Sequence, residues 1–276
     1  MLREQAYAKL NLVLHVGPRR DDGMHPVCSL VASIDLADEV IAEPQESGAD
    51  TVECEGVPGD NLAARALAEF RARAGKELPP LHVTIRKRIP VAAGLGGGSA
   101  DAAAMLRLAN ELAGHPLAGE ELLRLAADLG SDVPSQLDPS HCLVDGTGER
   151  VEPISLPPLA AVLIPDEDGL STASVYAELD RLNGGREHLD RDRLRVLAAP
   201  RDPAARLAAA LENDLQRAAL SLRPDLEDRL TALRTAGALG VAVSGSGPTC
   251  FGLFADRAAA ERAAGALPGA VVTQLR

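Results

Sequence analysis

The residues best equipped for chemistry form a glycine-dense stretch: Pro90, Val91, Ala92, Ala93, Gly94, Leu95, Gly96, Gly97, Gly98, Ser99 and Ala100. Glycine has no Cβ, so its backbone can take positive φ and approach a ligand closely. After Ser99 come Ala100, Ala102, Ala103, Ala104, Met105, Leu106 and Leu108, strong helix formers, with Ser99 placed as an N-cap and Asp101 in the first turn. A helix start offers free N–H groups and roughly +0.5 elementary charge, which attract an anion. A polyphosphate suits that chemistry. Two familiar phosphate loops are excluded by spelling. A Walker A loop needs Lys after its last glycine, whereas Gly98 is followed by Ser99; the dinucleotide fingerprint needs glycine where Ser99 stands. The competing reading is a flexible turn between a strand and a helix.

Elements must hold these groups. Residues 81–89 place Leu81, Val83, Ile85 and Ile89 on one side and His82, Thr84, Arg86 and Arg88 on the other, the alternation of a half-buried strand ended by Pro90. Residues 6–16 form a second strand, with Leu10, Leu12, Leu14 and Val16 facing the core and Lys9, Asn11, Val13 and His15 opposite. Lys9 and Asn11 are then either solvent-facing edge residues or the floor of a cleft, and the pattern alone favours the edge. Asp60-Asn61 caps a helix over Leu62–Ala74 that Gly75 ends. Residues 119–129 are helical and stop at Gly130, where Ser131 or Asp132 caps a new turn.

The remaining chain reads as strands at 28–36, 141–144 and Ala160–Ile164, with residues 156–159 the best linker. Helices are expected at 172–182, 203–220 and 224–236, and residues 186–195 are a loop or a solvated helix. Residues 240–254 form two apolar strands joined by a Gly/Ser hairpin, and a helix at 257–267 and a strand at 270–275 close the chain. That order gives an α+β sandwich, helices on one face of an antiparallel sheet. The 276 residues carry 40 acidic and 28 basic side chains, a net charge of −12 that repels nucleic acid and anionic membrane, so any phosphate site must be local. Hydrophobic residues make up 46% and aromatic ones 2%, so the core is built from Ala, Leu and Val. The four cysteines show no metal or disulfide spacing. The first residues lack an apolar signal core, and no run of about eighteen apolar residues occurs, which predicts a cytoplasmic, soluble protein.

The stretch from Pro90 to Ala100 resembles the signature of the GHMP kinase superfamily, Pro-x-x-x-Gly-Leu-Gly-x-Gly-Ser-[Ser/Ala]-Ala, with Asp101 in place of the last Ala. Ala-Lys-Leu-Asn-Leu at 8–12, Asp22-Gly23-Met24-His25, Gly130-Ser131-Asp132-Val133-Pro134 and Ser-Gly-Ser-Gly-Pro-Thr at 244–249 together resemble one branch, the 4-(cytidine 5'-diphospho)-2-C-methyl-D-erythritol kinases of non-mevalonate (MEP pathway) isoprenoid biosynthesis. The resemblance spans nearly the whole chain. It implies a two-domain α+β GHMP kinase fold, ribosomal-protein-S5-like at 1–155 and a ferredoxin-like sandwich at 156–276, with the active site in the cleft between them.

It further implies ATP on Pro90 to Ala100, with Mg²⁺ bridging phosphates and Ser99 a candidate ligand, and an acceptor hydroxyl, the 2-hydroxyl, served by Lys9 and Asp132. Asp132 would take the proton, and Lys9 would keep Asp132 ionised and stabilise charge on the attacking oxygen. For the cytidine end it points to His25 at the cytosine edge, Asn11 near the erythritol, and Thr172 and Tyr176. Met24 stands where the branch has Tyr, and Ser135-Gln136 where it has Phe-Phe. The expected partner is the small-molecule substrate, with no nucleic acid and no membrane, in a monomer or weak homodimer. The alternatives are a homoserine- or mevalonate-type kinase, or a catalytically silent nucleotide-binding homologue.

Overall fold

The computed structural model describes the chain except for Glu55, residues 58–60, Lys76, Glu77, Glu167 and residues 199–203. In chain order the elements are β1 (Leu2–Val16), β2 (Val27–Pro44), β3 (Thr51–Cys54), α1 (Leu62–Ala74), β4 (Leu81–Arg86), α2 (Gly97–Leu112), α3 (Gly119–Leu129), α4 (Val133–Gln136), β5 (Cys142–Gly146), β6 (Arg150–Pro153) and β7 (Ala160–Ile164). They continue with α5 (Thr172–Arg181), α6 (Arg191–Leu197), α7 (Ala204–Ala209), β8 (Glu212–Asn213), α8 (Gln216–Leu222), α9 (Leu226–Thr235), β9 (Gly240–Val243), β10 (Cys250–Phe254), α10 (Arg257–Ala264) and β11 (Val271–Gln274). Contacts divide the chain into two units, the first comprising Met1–Ala8, Leu36–Val91 and Gly96–Pro139, the second Lys9–Asp35, Ala92–Leu95 and Ser140–Arg276.

In the first unit, the end of β2 pairs antiparallel with β4, from Glu39 opposite Arg86 to Pro44 opposite Leu81, and β3 runs parallel to β4. The alternation expected of residues 81–89 holds over 81–86, where β4 ends short of the expected Ile89: Leu81, Val83 and Ile85 are buried against Phe70 and Leu67 of α1 and the alanines of α2. The alanines keep α2 slim, so α1 packs close and the core fills without large side chains. Asn61 caps α1 by accepting from the Ala63 amide at 2.8 Å, and Gly75 ends it in the left-handed region at φ 60°. Asp60 lies outside the described residues.

In the second unit, the start of β2 pairs with β5, β5 with β6, and β1 runs parallel to β8 with Val13 opposite Glu212. A separate four-stranded sheet, ordered β11-β7-β10-β9, is antiparallel throughout. Leu226, Leu230 and Leu233 of α9 and Ala260 and Ala263 of α10 pack with Val162, Val243 and Phe254, which gives the expected sandwich. The single helix expected at 203–220 is wrong. It breaks into α7, β8 and α8, Pro203 itself lying outside the described residues. The reason is the polar run Glu212-Asn213-Asp214: Asp214 accepts the Val16 amide at 2.9 Å, and Asn213 bonds backbone on another strand. The charged stretch 186–195 yields α6 at its end, and β6 follows the short turn after β5.

Candidate active site

In the second unit, β1 supplies the floor. Lys9 and Asn11 are each 5% exposed, so the edge placement favoured by alternation is wrong; every residue from 8 to 17 is buried, because both faces of the strand are covered. A buried ammonium needs partners. Lys9 Nζ donates to Asn11 Oδ1 at 2.6 Å, Asn11 Nδ2 donates to Ser29 Oγ at 2.9 Å, and the Ser29 hydroxyl donates to the Val13 carbonyl at 2.7 Å. A hydroxyl has one hydrogen, and Ser29 uses it on Val13, so towards Asn11 it can only accept. That fixes the amide with its oxygen towards Lys9.

The Gly/Ser hairpin closes over this chain of dipoles. A Cβ on Gly245, where φ is 57°, would lie 3.3 Å from Asn11 Oδ1 and 3.4 Å from Lys9 Nζ. Ser244 Oγ donates to the Gly94 carbonyl at 3.0 Å, the Thr249 amide to Ala93 at 3.3 Å, and the Lys9 amide to Leu95 at 3.0 Å. Residues 93–95 are therefore tied to β1 and the hairpin. Gly94 is glycine for that reason: a Cβ there would stand 2.3 Å from the Ser244 carbonyl oxygen. Close approach of a ligand, the role expected of it, is not what demands glycine at this position. Ala92 also holds positive φ, 54°.

His25, Tyr176 and Thr172 also lie in the second unit. The His25 and Tyr176 rings are 5.0 Å apart, tilted by 43°. His25 Nε2 lies 2.8 Å from Asp180 Oδ1; a carboxylate only accepts, so Nε2 carries the hydrogen and Nδ1 of the neutral ring is an acceptor. Thr172 Oγ1 and Ser246 Oγ are 2.9 Å apart, which ties the start of α5 to the hairpin. Met24 is 48% exposed.

In the first unit, α2 begins at Gly97, with Gly96 as its left-handed cap at φ 73°. Ser99 is thus inside the helix rather than its N-cap, and Asp101 lies beyond the first turn. The amides of Gly97, Gly98 and Ser99 have no intrahelical acceptor. A Cβ on Gly97 would meet Ile89 at 3.0 Å, whereas one on Gly98 would meet nothing within 4 Å. Gly98 is exposed, Ser99 half-buried, and Val91 51% exposed beside half-buried Pro90. Open space at the free amides of a helix start is where an anion can come close.

Beneath that helix start, Lys87 Nζ donates to Asp38 Oδ2 at 2.5 Å and to Asp101 Oδ2 at 2.7 Å, while Asp38 Oδ1 accepts the Arg88 and Ile89 amides. Burial pushes the Asp101 carboxyl up, to about 7, against the pull of Lys87 and with help from the neighbouring Asp38 charge. Burial alone would pull Lys87 down, but the two carboxylates hold it above its ordinary value. Asp132 immediately precedes α4, half-buried; its carboxylate makes no cap bond to that helix, and its carbonyl accepts the Ser135 hydroxyl at 2.9 Å. The expected capping turn is present, without the expected side-chain bond.

Sequence reasoning missed Ser29, Asp180, Asn213 and the Asp38–Lys87 pair. Asp180 stands four residues after Tyr176 on α5, a helical spacing that could have found it. Ser29 and Asp38 had no such signal, since their partners lie on other strands.

The chain matches the family models described as GHMP kinases N terminal domain, over residues 61–142, and GHMP kinases C terminal, over residues 197–272. It is 44% identical to a 4-diphosphocytidyl-2-C-methyl-D-erythritol kinase of Salinispora arenicola, over 96% of this chain and 87% of that protein. One of the same name from Streptomyces coelicolor is also 44% identical, over 94% and 90%. The crystal structure of a 4-(cytidine 5'-diphospho)-2C-methyl-D-erythritol kinase superposes with a TM-score of 0.82 at 34% identity, covering 99% of this chain and 98% of that one. An L. major mevalonate kinase, at 16% identity and TM-score 0.70 over 100% of this chain and 96% of that one, shares the fold.

Proposed function

The chain belongs to the 4-diphosphocytidyl-2-C-methyl-D-erythritol kinase family of GHMP kinases, with their two-domain fold, and from that premise we propose that it moves the terminal phosphoryl group of ATP onto the 2-hydroxyl of 4-diphosphocytidyl-2-C-methyl-D-erythritol. The observation that carries the reading is the full-length identity together with the Lys9–Asn11–Ser29 chain, which holds an ammonium in one orientation. In this reading 1–155 and 156–276 are the two domains, and the protein works in the cytoplasm.

Asp132 takes the hydroxyl proton as the alcohol oxygen bonds phosphorus and the bond to ADP breaks. Lys9 stabilises charge on the attacking oxygen. An alcohol is a weak nucleophile until its proton has a destination, so a carboxylate and an ammonium supply what the step lacks. Phosphates lie on the Pro90 to Ala100 loop, where the open space at Gly98 and the free amides at the α2 start favour them. Mg²⁺, when bound with ATP, neutralises phosphate charge. Ser99 offers it one hydroxyl, in keeping with an ion that takes few protein ligands beside phosphate oxygens. With Nε2 engaged by Asp180, His25 Nδ1 in the neutral tautomer suits the amino group of cytosine, with Tyr176 beside it.

The test is ADP release with a panel of acceptor alcohols. We expect turnover with the cytidine diphosphate of methylerythritol and none with homoserine or mevalonate. Turnover only with one of the latter two, or with no acceptor, contradicts the reading.

A further inference from the structure

Asn213 stands where the apolar periodicity pointed to the middle of a helix, and β8 carries it to Leu14 of β1 instead. It is 9% exposed and fully engaged. Its Nδ2 donates to the Val243 and Gly245 carbonyls, both at 2.8 Å, and its Oδ1 accepts the Leu215 amide at 2.9 Å. Gln216 Oε1 accepts the Val243 amide at 2.9 Å. The two carbonyls flank Ser244, which bonds Gly94, and Gly245 is the backbone that closes over Lys9 Nζ and Asn11 Oδ1. This turn contains two positive-φ glycines, Gly245 at 57° and Gly247 at 84°. A backbone of that kind has many conformations open to it, so something outside it must select one. Both hydrogens of the Asn213 amide are used on that selection.

We propose that Asn213 is a positioning residue for phosphoryl transfer, acting through the 243–247 turn on the placement of the Lys9 ammonium and touching no substrate. The proposal rests on the reading of Lys9 given above. Its physical basis is that a fixed charge loses much of its effect when displaced, a 1 Å error costing on the order of 10²-fold in rate. Amides that donate twice to one turn hold it more firmly than a single bond could.

The experiment is a double-mutant cycle on the whole chain with Asn213→Asp and Lys9→Met, reading kcat, KM for ATP and melting temperature. Asn213→Asp keeps the shape and the acceptor for Leu215, and replaces the two donations by repulsion. Asn213→Ser, which cannot reach either carbonyl, serves if the first variant does not fold. We expect kcat to fall on the order of 10²-fold beside native Lys9, with KM for ATP little changed, and no further fall in the Lys9→Met background. Equal losses in both backgrounds, or a lower melting temperature with native kcat, overturn the proposal. Native activity in Lys9→Met alone would instead sink the reading of Lys9, so the two failures are distinguishable.

Discussion

Two lysines are drawn into the protein by different means. Lys87 is held by two carboxylates, Asp38 and Asp101, one of them also accepting the Arg88 and Ile89 amides. Lys9 donates to the neutral amide of Asn11, whose orientation Ser29 fixes. Carboxylates at contact distance neutralise an ammonium and anchor backbone at the entry to the glycine loop. An oriented amide dipole fixes the direction of one ammonium N–H bond. In the reading proposed above, Lys87 serves the fold and Lys9 the reaction.

The same division should run through the carboxylates, and here the largest effect is expected. Asp132→Asn should lower kcat between about 10²- and 10⁴-fold, the usual range for a general base, with nucleotide affinity by calorimetry unchanged. Near-native turnover in that variant breaks the assignment. Next comes Lys87→Met, which leaves two buried carboxylates without their cation and should cost about 3–5 kcal/mol of stability in urea unfolding. A melting temperature within about 2 °C of native would show that Lys87 does not anchor the fold. The smallest effect sharpens the comparison inside the glycine loop. Gly98→Ala meets no atom within 4 Å and replaces a helical glycine, so it should raise stability by about 0.5–1 kcal/mol. ATP affinity should nonetheless fall about tenfold, equivalent to ~1.4 kcal/mol, as measured by calorimetry. Unchanged affinity would place the phosphates elsewhere.

Much of this was legible in the sequence, for identifiable reasons. Alternation at residues 81–86, the Asn61 cap and the Gly75 stop are local signals, and local physics decided them. The break at Glu212–Asn213 was not legible because its cause is a partner on β1 and carbonyls in the 243–245 turn, contacts that periodicity does not contain. Likewise alternation could place Lys9 and Asn11 on one face of β1 but could not say that the face is covered. The glycine loop was found by composition, yet the reasons for its glycines differ. Gly94 answers to Ser244 and Gly97 to Ile89, which leaves Gly98 facing open space.

The most direct measurement is kcat and melting temperature of Lys9→Met with ATP and the cytidine diphosphate of methylerythritol. We expect kcat reduced on the order of 10²- to 10³-fold, as when one stabilising donor is removed from a transition state, with the melting temperature nearly native. Retained turnover together with a large fall in melting temperature would make Lys9 a structural lysine like Lys87 and contradict its part in phosphoryl transfer.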